Sequence, residues 1–265
     1  MSLIEITDLS SDEIRAIWQL ARRPPTSTAG NVAWSFEGNG IRTRTTFLRA
    51  FRSLGLAVTE LPNLLKTEER TQDLAGYLDP FYDIYVIRES NHERLKEFSR
   101  VSRRPVINAM SSMGHPCEVL SDAAYIDAEL MPIGQAHICL FGPTSNVFHS
   151  WHQLAQVLDI RISHVCAASL HRNLPNVSFA EVAPGGVDIV ITDGWPKGDD
   201  TGTSLSPEIL ARMGNPRLLP TPPFSIGREL SFDPVAYGGF VGYQQKQWLL
   251  HVQRAILFFL LSRVE

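Results

Sequence analysis

The chain predicts an α/β protein built from two parallel-sheet domains, and three observations carry that expectation. Apolar, strand-like runs alternate with helical stretches along most of the 265 residues, the pattern of strands that pair in parallel through helical crossovers. Several of these runs stop at a glycine, an arginine, a histidine or an aspartate, the residue types that meet ligands at the carboxyl edge of such a sheet. The length suits one large domain or two small ones.

The elements follow in order. Ser10 or Ser11 caps a first helix with acids in its first turn, and Pro24 and Pro25 lie beyond its end near Arg22;. Val32, Ala33, Trp34 and Phe36 form a strand. Gly38 and Gly40 turn it into a helix whose apolar positions Phe47, Leu48, Phe51 and Leu54 share one face, with Arg44, Arg49 and Arg52 elsewhere;. A strand over 56–61 and a helix over 67–79 come next. Strands over 84–87 and 106–109 stop at Arg88 and before the Met110–His115 loop. After a helix from Pro116 to about Leu130, a second unit opens with a strand over 136–141, the turn Gly142-Pro143-Thr144-Ser145-Asn146 and a helix through Val157. Strands over 160–165 and 188–192 follow, the latter ending at Asp193. Pro220, Pro222 and Pro223 impose an extended loop, and 241–263 reads as a long closing helix. The expected domains are residues 1–130 with 244–265, and 131–243, joined by interdomain helices around a ligand cleft.

A formal net charge of −4 with 44% apolar residues shows no nucleic-acid footprint. Cys117, Cys139 and Cys166 are too few and scattered for a disulfide framework and read as reduced thiols. The start lacks the basic and apolar regions of a signal peptide, and Ala255–Leu261 is far short of the roughly 20 residues of a membrane span. These features predict a cytoplasmic protein without membrane partners. His149, His152 and His164 lack a Cys or acid to complete a ligand set, so neither a metal nor a cofactor is expected.

The stretch Phe36-Glu37-Gly38-Asn39-Gly40-Ile41-Arg42-Thr43-Arg44 carries the strongest chemical signal. A glycine turn entering a helix leaves backbone N–H groups pointing outward with the positive end of the dipole behind them, and the arginines add charge. The anion could be a dinucleotide, since Gly38-Asn39-Gly40-Ile41-Arg42-Thr43 approaches G-x-G-x-x-G and Glu60 stands about where a ribose ligand would. Thr43 replaces the third glycine of that pattern. A plain surface turn with solvated arginines is the other reading.

Four segments in fixed order bring a family into view. Phe36-Glu37 with Arg42-Thr43-Arg44, then Arg88 after a strand, then His115-Pro116-Cys117-Glu118 match three of them. The fourth is Phe141-Gly142-Pro143-Thr144-Ser145-Asn146-Val147, followed by Asp193-Gly194-Trp195 and Arg217-Leu218-Leu219-Pro220. In these the sequence resembles the aspartate and ornithine carbamoyltransferases, as a divergent, short member. The resemblance implies transfer of a carbamoyl group from carbamoyl phosphate to a small amine by a homotrimer.

It also implies roles. Arg42, with the backbone of Gly40 and Ile41, would grip phosphate, and Thr43 would reach phosphate and the carbonyl oxygen. Arg88 and His115 would complete the oxyanion site. Glu118 and the Leu219 carbonyl would accept from the carbamoyl NH₂, the Leu219–Pro220 peptide being cis so that this carbonyl turns inward. Asn146, Asp193, Lys197 and Leu218 would meet the acceptor. Arg44 reads as a structural ion pair, and Glu118 and Asn146 could equally cap the helices they open. Gly40 and Ile41 stand where the family has serine and threonine, and Glu118 where it has glutamine. Restoring all three is therefore expected to tighten donor binding. Leu218 replaces a cysteine, and the ornithine and aspartate signatures after Trp195 are missing, so the expected acceptor is neither of those amino acids. A non-catalytic paralogue that binds an anion or protein partner, and a nucleotide-cofactor oxidoreductase, are the competing functions.

Overall fold

The structure, a computed structural model, describes residues 1–195 and 203–263. The chain divides into one compact unit of Met1–Ala124 with Gln247–Glu265 and another of Tyr125–Lys246.

In the first unit, strands β1 (Asn31–Phe36), β2 (Ala57–Glu60), β3 (Ile84–Arg88) and β4 (Val106–Met110) run parallel in the order β2-β1-β3-β4. Helices α1 (Ser11–Ala21), α2 (Ile41–Leu54), α3 (Thr71–Leu78) and α4 (His92–Val101) belong to this unit. Ser10 caps α1 in a reciprocal box with Glu13;. On β1, Trp34 stacks on Phe36 at 4.4 Å and meets the edge of Phe51 at 5.3 Å. The α2 face predicted from its spacing is therefore the one that packs. Tyr85, Ile87, Leu95, Phe98 and Val106 fill another part of the core.

Helix α5 (Pro116–Tyr125) continues as a π-turn through Leu130, and the unit boundary falls within it. The second unit holds β5 (Ile138–Phe141), β6 (Ile162–Val165), β7 (Val177–Ala180), β8 (Ile189–Thr192) and β9 (Arg217–Pro220), all parallel in the order β7-β6-β5-β8-β9. It carries α6 (Asn146–Leu158) and α7 (Pro207–Met213), and the chain returns to the first unit within α8 (Gly242–Leu261). Its core includes Cys139, Val190, Leu210, Met213, Leu218 and Leu230. Among the described residues no helix is long and apolar enough to cross a membrane.

Two expectations are corrected. The helix expected from residue 67 starts at Thr71, because Arg94 donates to the carbonyls of Leu65, Thr67 and Glu69 and so holds that segment out of a helix. The cis peptide is Pro222–Pro223, not Leu219–Pro220. Pro220 still belongs to β9, in register with Thr192, and Thr221 N donates to the Thr192 carbonyl. This pairing keeps the chain extended to Thr221, beyond the bond expected to reverse it.

Candidate active site

In an open parallel sheet, ligands gather beyond the carboxyl ends of the strands where the strand order changes direction. In the first unit that point lies between β1 and β3, whose last residues, Phe36 and Arg88, are register partners. Glu37 N donates to the Arg88 carbonyl, and Gly40 then takes a left-handed conformation, φ 40° and ψ 42°, as the N-cap of α2. A Cβ built on Gly40 would lie 2.4 Å from the Phe36 ring and 3.2 Å from Arg88 Nη1. The guanidinium therefore sits on the turn itself, and only glycine leaves it room. No side chain caps α2, so its first N–H groups keep their capacity for an anion.

Charge converges on the same place. Burial above all presses the Arg88 guanidinium below its ordinary pKa; Glu37 opposes this and the neighbouring Arg42 charge reinforces it. Arg42 is exposed and forms no ion pair among the described residues, Thr43 is buried in the first turn, and Ile41 is exposed. Arg44 bonds Glu60 at 2.7 Å, which gives Arg44 the structural role expected of it and occupies the acid that a ribose would need. Glu37 accepts from Ser90 N at 2.6 Å and pairs with Lys66 at 3.3 Å. The Ser90 bond leads the interactions that hold this carboxyl below its ordinary pKa.

The Met110–His115 loop is fixed from beneath. Ser111 N donates to the Gly114 carbonyl, Gly114 N to Ser111 Oγ, and buried Asn108 Nδ2 to the Ile4 carbonyl and Ser111 Oγ. Ser112 N donates to the Ser90 carbonyl, tying this loop to the one after Arg88. His115, buried, precedes Pro116 at the start of α5, and its Nε2 lies 3.9 Å from Glu118 Oε2. Glu118 occupies the first turn of α5 and is itself buried.

In the second unit the order reverses between β5 and β8, with Phe141 and Thr192 as register partners. Ser145 caps α6 through Phe148 N, so Asn146 is the first residue of α6 and not its cap. The Asp193 carboxyl is pushed up to about 6, by burial first; bonds from Ser145 and Gly194 N pull it down and Glu229 raises it further. A Cβ on Gly142 would meet Trp195 Nε1 at 3.1 Å, so the loops after β5 and β8 touch. Beneath them, His164 Nε2 donates to the Gly142 carbonyl at 2.9 Å, which leaves its Nδ1 to accept from His152 Nε2 at 3.0 Å;. Burial lowers these two imidazoles to about 4 and about 3 respectively; both are neutral links that brace the loop. Leu218 and Leu219 are core side chains, and Leu218 donates to Gly239 and accepts from Val241 through its backbone. Lys197 lies outside the described residues.

The structure thus gathers Gly40, Ile41, Arg42, Thr43 and Arg88 at one switch point and sets Asn146 and Asp193 at the other. Ser145, Glu229 and Lys66, which also pairs with the buried Glu89, received no role from the sequence. Ser145 alone had a visible signal, as a cap-type residue three before Phe148; Lys66 ends a single 3₁₀ turn and Glu89 and Glu229 are single charges in irregular segments.

Residues 1–128 match the family described as aspartate/ornithine carbamoyltransferase, carbamoyl-P binding domain. The ornithine carbamoyltransferase of Caulobacter vibrioides is 30% identical over 182 residues, covering 63% of this chain and 58% of that protein. That of Rhodopseudomonas palustris is 26% identical over an alignment of 299 positions, covering 98% of this chain and 96% of that one. The chain spans 58% and 60% of the length of two of these relatives, from C. vibrioides and Campylobacter jejuni. Among solved structures, the anabolic ornithine carbamoyltransferase of C. jejuni superposes with a TM-score of 0.84 at 25% identity, covering 98% of both chains. That of Pyrococcus furiosus superposes with a TM-score of 0.90 at 19% identity, covering 100% of this chain and 98% of the other.

Proposed function

We propose that this chain, which belongs to the aspartate/ornithine carbamoyltransferase family, moves the carbamoyl group of carbamoyl phosphate to a small amine and releases phosphate. One observation carries the reading: Arg88 Nη1 rests on the left-handed Gly40 turn that opens an uncapped α2, beside Arg42, at the switch point of the first sheet.

Attack of a neutral amine on the carbamoyl carbon puts negative charge on the carbonyl oxygen, and collapse of the adduct puts more on the departing phosphate. Fixed donors at those two places are the main catalytic resource. Arg42, Thr43 and the first N–H groups of α2 take the phosphate; Arg88 and His115 take the oxyanion. Glu118 accepts from the NH₂ group; the Leu219 carbonyl, assigned there on a cis Leu219–Pro220 bond that the chain does not have, loses that role. Asn146, Asp193 and Lys197 are assigned to the amine; Leu218, a core side chain whose backbone bonds Gly239 and Val241, is not. The Arg88 guanidinium lies over the buried Phe36 ring, 5.6 Å from its centroid, so it stands near the turn before substrate arrives and little reorganisation is needed during the reaction.

The test is release of phosphate on mixing the protein with carbamoyl phosphate and a panel of amines. Amine-dependent release that disappears in Arg88→Ala supports transfer. A folded protein that binds carbamoyl phosphate yet releases none with any amine contradicts it and favours a non-catalytic anion binder. The homotrimer remains part of the proposal and is checked by light scattering.

A further inference from the structure

Arg88 and His115, the two side chains assigned to the oxyanion, stand on neighbouring loops that the backbone joins at two points. Glu89 N donates to the Met110 carbonyl at 3.1 Å, and Ser112 N to the Ser90 carbonyl at 3.3 Å. Between these ties a side chain makes another. His92, buried at the start of α4, places Nδ1 2.8 Å from Ser111 Oγ and Nε2 3.2 Å from Glu5 Oε1.

The bonds around Ser111 fix which ring nitrogen carries the hydrogen. Ser111 Oγ accepts from Asn108 Nδ2 and from Gly114 N, each at 3.2 Å, which uses both of its lone pairs;. Its O–H is therefore what meets His92, across a shorter gap than the 3.3 Å to the Gly114 carbonyl. So Nδ1 accepts, and Nε2 donates to Glu5. Burial raises the Glu5 carboxyl, but bonds from Lys96 and from the His92 ring outweigh it and hold the group below its ordinary pKa. The order of hydroxyl, imidazole and carboxylate is that of a nucleophile with its base and orienting acid. Ser111, 1% exposed and with both lone pairs engaged, has none to attack with. What the row can do is hold a loop. Its far end is anchored, because Leu3 N donates to the Val106 carbonyl, Asn108 N to the Leu3 carbonyl and Asn108 Nδ2 to the Ile4 carbonyl. Its near end holds Gly114, the residue before His115.

We propose that His92 is a positioning residue for the transfer reaction: oriented by Glu5, it fixes the Ser111 hydroxyl and so sets the loop of His115 against the loop of Arg88. This rests on the proposed reaction, in which those two side chains meet the oxyanion. Donors aimed at a developing charge act through their fixed placement, and a support that lets one of them drift lowers turnover more than it lowers binding.

Two readouts on the same variants test this. Hydrogen exchange at the Gly114 amide, whose acceptor is Ser111 Oγ, reports the loop without any need for activity, and amine-dependent phosphate release from carbamoyl phosphate reports the reaction. His92→Leu removes both ring bonds, whereas His92→Asn keeps an amide oxygen near the place of Nδ1 to accept from Ser111. In His92→Leu the Gly114 amide should exchange about tenfold faster or more, while the amides of β3 keep their rates. Its kcat should fall by about tenfold or more, with KM for carbamoyl phosphate within about twofold of the parent. His92→Asn should recover most of both losses. Should His92→Leu fail to fold, His92→Gln, which keeps a donor for Glu5, takes its place with the same expectation. Parental exchange at Gly114 or parental kcat in the folded variant, or no recovery in His92→Asn, would each overturn the assignment. The two proposals separate cleanly. Faster Gly114 exchange in His92→Leu, with no phosphate release by the parent, removes the reaction and leaves His92 as the holder of the loop. Phosphate release at the parental rate by folded His92→Leu does the reverse.

Discussion

Each of the two sheets reverses its strand order once, and the charges gathered at the two reversals are opposite. Beyond β1 and β3 stand Arg42 and Arg88 with an uncapped helix; beyond β5 and β8 stand Asp193 and, close to it, Glu229. The topology is of the same kind in both units: parallel strands, a crevice at their carboxyl ends, a helix starting from the first strand of the pair. The comparison teaches that strand order determines where a ligand goes, whereas a few residues in the following loops determine its charge. In the first unit the turn admits only glycine and draws a guanidinium onto it; in the second, Ser145 caps the helix and takes one of its first N–H groups.

The largest effect should come from the cationic side. Arg88→Ala removes the guanidinium fixed over Gly40, and loss of one oxyanion donor costs about 10²–10³ in turnover, roughly 3–4 kcal/mol. Arg42→Ala should cost a similar factor in phosphate release with no change in melting temperature, since Arg42 is exposed. Near-parental rates in either variant would dissolve the contrast between the two reversals.

The next test tightens the contrast at Gly40. From the sequence, restoring serine there appeared as a gain of a donor. The structure reverses this, because a Cβ would press on Phe36 at 2.4 Å in a left-handed backbone. Gly40→Ser should destabilise the protein by about 1–3 kcal/mol and weaken carbamoyl phosphate binding, as chemical denaturation and calorimetry would show. Ile41→Thr, at an exposed position, should leave stability unchanged.

A pH series addresses the anionic side. The groups facing Asp193 are Ser145 and Gly194 N, which favour its ionised form, and Glu229, which disfavours it; with burial its pKa stands near 6 against an ordinary 3.8. A carboxyl raised in the folded state adds stability below the lower value, and this is lost as pH rises through the upper one. Asp193→Asn should flatten the profile. The smallest effect concerns the brace under Gly142. His152 and His164 are lowered to about 3 and about 4, so stability they contribute above about pH 6.5 is lost as pH falls toward those values. His152→Leu should shed up to one proton from that acid dependence in unfolding titrations.

Much of this was legible before the structure. The 3.6-residue spacing of Phe47, Phe51 and Leu54 and the apolar runs of β1, β3, β4, β5 and β8 announced themselves, because burial leaves a periodic trace. Strand β7 and helix α4 left little: β7 is half-exposed, and α4 carries Leu95 and Phe98 among polar residues with His92 turned into the core. Arg42, Arg88 and Asp193 were readable because each ends a strand or opens a helix. Glu229 was not, since it lies in an irregular loop 36 positions beyond Asp193 in the sequence numbering, and only the fold shows it buried there. The cis bond was misplaced by transferring a turn across a strand pairing that spacing alone does not reveal.

The central claim is that carbon leaves phosphate and arrives on nitrogen. Isotope-labelled carbamoyl phosphate, incubated with the protein and a panel of amines and followed by NMR, tests it most directly. Transfer predicts a protein-dependent urea-type carbon signal on one of the amines, formed in step with free phosphate and absent in Arg88→Ala. A labelled carbon that only decays at the rate seen without protein, while the protein remains folded and binds carbamoyl phosphate, would contradict it.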